Sequence, residues 1–351
     1  MGYVQIAAED FVVSTEAVTN TCWSNNNPTL KDFFTSSVQI ATNTGQFYYS
    51  VNQLVTTNTE SAVQFDIAYC DKQGSGSIWY NPAVNGMSPT RTNFGQYRTL
   101  VLGDENADFI FGNYSASRFY AINVERARYK QSLMPGTWTL ILSGSHASTG
   151  KKVHLTDDSV ALSAVKFTDA GRVFNIVSGS AGVVNQSINT NGWAGGAQSV
   201  SGSYGWFLPD IATFLINADA ISGSADITSP GIATSASSNI ADNNPDRIVE
   251  AMQRAGNEDF GFTLNSEEKL SSDFIFIRAQ NSSFNYSENP SFISGSTGEV
   301  VFNEFIDNPV TYITTVGLYN DTNDLLAVAK LSRPLPKDFT KEMLVRVKLD
   351  F

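Results

Sequence analysis

Residues 311–351 read TYITTVGLYNDTNDLLAVAKLSRPLPKDFTKEMLVRVKLDF. In an extended chain successive side chains point to opposite faces. Met343, Val345, Val347, Leu349 and Phe351 therefore fall on one face, and Arg346, Lys348 and Asp350 on the other. Upstream, TYITTVGLY and LLAVAKL flank Asn320–Asp324, a turn-rich connection suited to a hairpin. Pro334 and Pro336 lack a backbone donor and are expected to interrupt the ladder before the last strand. The stretch thus predicts a three-stranded antiparallel meander with one covered face. A frayed tail would be polar and dispensable, whereas this one alternates like a structural strand.

The same period of two recurs along the chain. In AVQFDIAYC, Val63, Phe65, Ile67 and Tyr69 share a face, with Gln64 and Asp66 opposite. KQGSGS follows as a turn, then SIWY; FIFGN, RFYAINV and TWTLILSG also read as strands. Pro135-Gly136 supplies a tight turn before the last of these. YGWFLPDIATFLINADAI, residues 204–221, is apolar enough to be buried. It lies between two Gly/Ser/Asn-rich stretches, 178–203 and 222–244, expected to be surface loops or arms. One helix stands out, NPDRIVEAMQRAGN. Asn244 is placed to cap it, Pro245 suits its first position, and Gly256 its end. Ile248, Val249, Met252 and Ala255 form its apolar stripe. NSEEKLSS reads as a further helical turn, and ERARYKQSL as a short helix or turn. The expected fold is mainly β with a few short helices, in a multi-domain antiparallel architecture. Composition divides it into a β-rich domain (1–160), a Gly/Ser/Asn-rich middle with a buried apolar segment (161–244), and a C-terminal domain (245–351). The last holds the helix at 245–255 and the meander at 311–351.

Only 16 % of the 351 residues are charged, against about 25 % in ordinary soluble domains. Such depletion suits a surface covered by neighbours, and equally an amide-rich β protein. The net charge of −12 argues against nucleic-acid binding, which needs Lys and Arg to displace counterions. Two cysteines, Cys22 and Cys70, are too few for a disulfide framework and are expected to be small buried hydrophobes. MGYVQIAAEDFVVS carries no secretory pattern, and no apolar run is long enough to span a membrane, so folding in a cytoplasm is expected.

Little of the sequence points to catalysis. The two histidines, His146 and His154, have no Cys or acidic residue at a metal-ligand spacing. A Ser–His–Asp set need not be close in sequence, but no nucleophile motif accompanies either histidine. Asp157-Asp158 and Glu267-Glu268 are adjacent carboxylates, expected to face solvent; a glycosidase needs two carboxylates facing across a cleft. Gly74–Ser77 is a turn rather than a phosphate loop. Trp79, Trp138, Trp193 and Trp206 have the chemistry to stack on sugars, but as core or interface anchors they need no ligand. No cofactor or metal is implied.

Three segments together resemble a known family: FYAINVERARYKQSLMPGTWTLIL (119–142), EEKLSSDFIFIRAQNSSFNYSENPSF (267–292) and the tail from 311. They look like virion structural proteins of contractile-tailed, T4-like bacteriophages, cyanophages included. The resemblance covers the end of the first third and the final quarter of the chain. It implies a non-enzymatic baseplate wedge component made in the host bacterial cytoplasm. Such a component contacts other tail and baseplate proteins, in several copies around a six-fold axis, without membrane insertion. The alternatives are a receptor-binding or fibre-attachment module that contacts host-surface glycans, and a neck or capsid decoration protein. Candidate contacts are the basic cluster Arg126, Arg128 and Lys130, the loop at Trp193, and the terminal strand with Arg346, Lys348 and Phe351. If that strand is a docking element, deleting 342–351 is expected to abolish incorporation and leave a folded chain.

Overall fold

The computed structural model describes residues 4–30, 33–36, 48–54, 61–74, 90–143, 152–184, 204–224, 243–254, 261–287 and 289–350. It is mainly β and divides into two compact units: Val18–Glu268, and Met1–Ala17 together with Lys269–Phe351. Both boundaries suggested by composition, 160 and 244, fall inside the larger unit. Composition marks polar loops, whereas compactness follows strand pairing and helix packing across those loops.

The larger unit is built on one long antiparallel sheet. In order across it run Thr29–Leu30, Phe262–Thr263, Thr139–Ser143, Lys152–Asp157, Gly171–Ser180, Gly205–Leu208, Thr213–Asn217, Arg118–Val124, Ser61–Asp71, Tyr48–Leu54 and Phe34–Ser36. The central strands are buried on both faces. From Arg118–Val124, Tyr120, Ile122 and Val124 enter one apolar cluster, while Phe119 and Ala121 enter a second. Thr213–Asn217 does the same, with Phe214 and Ile216 on one side and Leu215 on the other. Double-sided burial is why RFYAINV and TFLIN read as nearly unbroken apolar runs. Gly205, at φ 137°, sits where a Cβ would lie 1.9 Å from the Leu215 carbonyl oxygen, so the tight approach of these two strands requires glycine.

Each face has its helix. Asn243–Arg254 brings Ile248, Val249, Ala251 and Met252 into the first cluster. The stripe read from sequence holds for Ile248, Val249 and Met252, while Ala255 and Gly256 lie outside the described residues. Thr90–Leu102 covers the second cluster with Phe94 and Val101. A series of rings binds the first core together: Phe207 stacks on Phe214 at 4.7 Å, Trp138 meets Phe214 at 4.9 Å, and Phe262 bridges Phe214 and Trp23, at 5.3 Å from each. The Trp23 indole N–H donates to the Phe262 carbonyl at 2.7 Å, satisfying its one polar atom.

In the smaller unit the expected hairpin is present, Thr311–Tyr319 paired with Leu325–Lys337. The three-stranded meander is not. Met343–Asp350 leaves the hairpin and pairs antiparallel with the strand Asn265–Ala279, from Ala279↔Met343 to Ser272↔Asp350. A turn at Asp338–Thr340 redirects the chain, with the Asp338 carboxylate accepting from the Thr340 N–H at 2.8 Å and its hydroxyl at 2.6 Å. The two layers meet face to face: Ile275, Val345 and Val347 pack with Leu318, and Val316, Ala327 and Ala329 join them. Alternation in the last strand is as read, with Val345 and Val347 buried and Leu344, Arg346 and Lys348 exposed.

Two further expectations are corrected. NSEEKLSS is not a helical turn but part of the strand Asn265–Ala279; pairing of Ser266 with Leu133 and Glu267 with Ser132 overrides its helix propensity. Pro334 and Pro336 shift the ladder without ending it. Register slips between Ile313 and Thr315, and Tyr312 pairs with Pro336 beyond the slip. Lys337 closes this strand fully buried. Its ammonium donates to the Asn281 carbonyl at 3.0 Å, Asn285 Oδ1 at 2.8 Å and the Asp338 carbonyl at 2.9 Å, so all three of its donors are used.

Because the terminal strand supplies Val345 and Val347 to the packed interior of this unit, deleting residues 342–351 should expose Ile275 and Leu318 and abolish the smaller unit's unfolding transition, rather than leave a folded chain. Ile275→Ala should lower stability by about 2–4 kcal/mol, read as a reduced denaturant midpoint at unchanged slope.

Candidate interaction surface

Among the described residues, Asp157, Asp158, Glu267 and both cysteines are buried within the larger unit. His154 lies within the strand Lys152–Asp157, opposite Ile141; His146 is outside the described residues. No group of His, Cys, Asp and Glu able to hold a metal ion occurs among the described residues. Both cysteines are free and buried. Burial pushes the Cys22 thiol up to about 12 despite nearby Arg128, and raises Cys70 well above its usual value, so both are protonated, unreactive thiols at neutral pH.

The adjacent carboxylates, expected in solvent, are largely buried. Asp157 is fully enclosed and accepts from the Gly136 N–H at 2.9 and 3.0 Å and the Ser159 N–H at 3.3 Å. Gly136 has φ 76°, which turns its amide toward the carboxylate at a backbone conformation that other residues rarely adopt. Burial raises the Asp157 pKa above the ordinary carboxylate range, with the hydrogen bonds from Ser159 and Gly136 offsetting only part of that shift. Asp158 accepts from the Asn175 backbone at 2.9 Å and side chain at 2.7 Å.

Glu267, also buried, belongs to a network centred on Arg172. The guanidinium donates to Asp210 Oδ1 at 2.7 and 2.9 Å, to Glu267 Oε2 at 2.9 Å and to Ser132 Oγ at 3.0 Å. The Ser132 hydroxyl in turn donates to Glu267 Oε2 at 2.9 Å. Burial opposes the Arg172 charge, yet the two carboxylates outweigh it and raise its pKa. The network ties four distant stretches of sequence together and presents saturated charges. Tryptophan follows the same rule: Trp138 is fully buried, and Trp206 packs on Phe109 and Phe111 at 5.9 and 5.3 Å. Trp79 and Trp193 are outside the described residues.

The basic cluster forms a single 3-10 turn, Arg126–Arg128. Arg126 lies over the Tyr129 ring at 4.7 Å and donates to its carbonyl at 2.8 Å; Lys130 is 3.9 Å from Glu268. These contacts engage the exposed cations locally. On the terminal strand, Arg346 and Lys348 lie 5.4 and 6.0 Å from the centre of the Phe274 ring, a cation–π arrangement. Lys348 also pairs with Asp350 at 2.8 Å, and with the Ser272 hydroxyl it holds that carboxyl below its usual pKa. Phe351 is outside the described residues.

What sequence reading passed over is the apolar surface of the smaller unit. Most of the exposed large apolar side chains among the described residues are here, although it is the shorter unit. Phe11, Val12 and Val13 are all exposed. So are Tyr312 and Leu326 on the hairpin, 65 % and 68 %, Val301 and Phe302 just before the short helix Asn303–Asp307, and Ile306 within it. The signal was available: consecutive apolar runs such as FVV and LL exceed what one covered face of an alternating strand can bury. No family model, curated protein or solved structure matches this chain.

Arg172→Ala should destabilise the larger unit by about 3 kcal/mol, because Glu267 is left buried without its counter-charge; the value sits at the low end because Asp210 remains a third exposed. For Asp157 the sign is opposite. Its raised native pKa favours the folded state below the unfolded carboxylate pKa, and that contribution is lost as pH rises through the native value. Asp157→Asn should therefore raise the melting temperature at neutral pH and lose its advantage in acid.

Proposed function

We propose that this chain is a non-enzymatic virion structural protein, a baseplate wedge component of a contractile bacteriophage tail. The observation that carries the reading is a β sandwich in the smaller unit with a small core and an outer surface rich in exposed apolar side chains. A rigid unit with such a surface is built to be covered by neighbours. The resemblance of residues 119–142, 267–292 and 311–351 to contractile-tail proteins supplies the identity of those neighbours, other tail and baseplate proteins. Engagement of carboxylates, cysteines and tryptophans in internal contacts supports assembly rather than chemistry. No described helix is long and apolar enough to cross a membrane.

In this role each unit moves as a rigid body, and contraction exchanges one set of surface contacts for another. The glycan-binding alternative loses two of its candidate stacking residues, Trp138 and Trp206, to packing. Immunogold labelling of intact and contracted virions with antibodies to the recombinant chain should place label at the distal plate of the tail. Label on fibres or on the head would overturn the proposal.

A further inference from the structure

The sheet of the smaller unit runs in the order Phe11–Thr21, Asn265–Ala279, Met343–Asp350. Its first and last strands are edges, and neither has another partner strand among the described residues. An edge leaves a row of backbone N–H and C=O groups unpaired, and soluble proteins usually blunt it with Lys, Pro, a bulge or short length. Phe11–Thr21 is neither short nor interrupted by such residues: it is eleven residues long, without Pro, Lys or Arg. Phe11, Val12 and Val13 are 44, 46 and 59 % exposed. At about 3.3 Å per residue, the seven residues Phe11–Ala17 span nearly the length of the eight-residue strand Met343–Asp350 on the other edge.

The two edges also differ in charge. Between Val4 and Thr21 the charged residues are Glu9, Asp10 and Glu16, all acidic. Asp10 lies 3.9 Å from Arg278, and Glu16 is exposed. The opposite edge carries Arg346 and Lys348 outward, with Asp350 held by Lys348 and Ser272. Pairing of two like edges would oppose like charges across strands, which is unfavourable; pairing of the unlike edges opposes acid to base.

We propose that copies of this chain associate head to tail through these edges, Phe11–Ala17 of one copy adding as a strand beside Met343–Asp350 of the next. This rests on the reading of the chain as an assembly protein and names a partner for its smaller unit, a second copy of the same chain. Main-chain hydrogen bonds supply the affinity, and Glu16 against Arg346 and Lys348 sets direction. Such a contact is heterologous, so it closes into a ring or continues as a filament.

Sedimentation velocity of the full chain over a range of concentration and salt tests this. The unaltered chain should form larger species that salt weakens. Glu16→Lys alone, and Arg346→Glu with Lys348→Glu, should each weaken association about tenfold or more. The three substitutions together should restore it. Far-ultraviolet circular dichroism confirms that each variant is folded. Hydrogen exchange of the unaltered chain needs no variant: amides of both edges should gain protection on association. A chain that stays monomeric throughout, a reversal without effect, a combined variant that does not recover, or protection confined to one edge would overturn the pairing. Tail label on virions with a monomeric isolated chain would remove the self-pairing and leave the proposed function standing; association without tail label would do the reverse.

Discussion

Burial of both faces of the central strands is the constraint on which the larger unit depends. Arg118–Val124 and Thr213–Asn217 feed alternate side chains into two separate apolar clusters, so neither face is left to solvent. A sheet in that position needs cover on both sides, and the helices Asn243–Arg254 and Thr90–Leu102 provide it. The aromatic series from Trp23 through Phe262 and Phe214 to Trp138 fills the first face at ring separations of about 5 Å. Its polar atom at Trp23 is satisfied by backbone, so the core there carries no desolvation penalty from that indole.

Charge is used sparingly and mostly as internal fastening. Arg172 gathers Ser132, Asp210 and Glu267, while Asp157 and Asp158 fasten turns through backbone amides and Asn175. Lys337 does the same in the smaller unit, with three oxygens around a buried ammonium. Each of these groups is costly to bury alone and tolerable only when paired. A chain with 16 % charged residues that also commits several to its interior leaves a surface relying on amides, hydroxyls and apolar side chains. In the smaller unit many of those apolar side chains are large and exposed, which is what the proposed role in assembly rests on.

Local pattern was enough to read the β class, a hairpin from TYITTVGLY and LLAVAKL, a helix at 245–255 and the inward face of the last strand, all present in the structure with somewhat different ends. These follow from local periodicity and turn chemistry, which depend on neighbours a few residues away. Long-range packing settled which strand the last one joins, since alternation says that a face is covered and not by what. It likewise decided that NSEEKLSS is a strand, because pairing with Ser132 and Leu133 lies more than a hundred residues away, and that Asp157 and Glu267 are buried. Identical carboxylate pairs in sequence face solvent or core according to whether a distant Arg172 or Gly136 arrives to compensate them, and local sequence carries no record of that arrival.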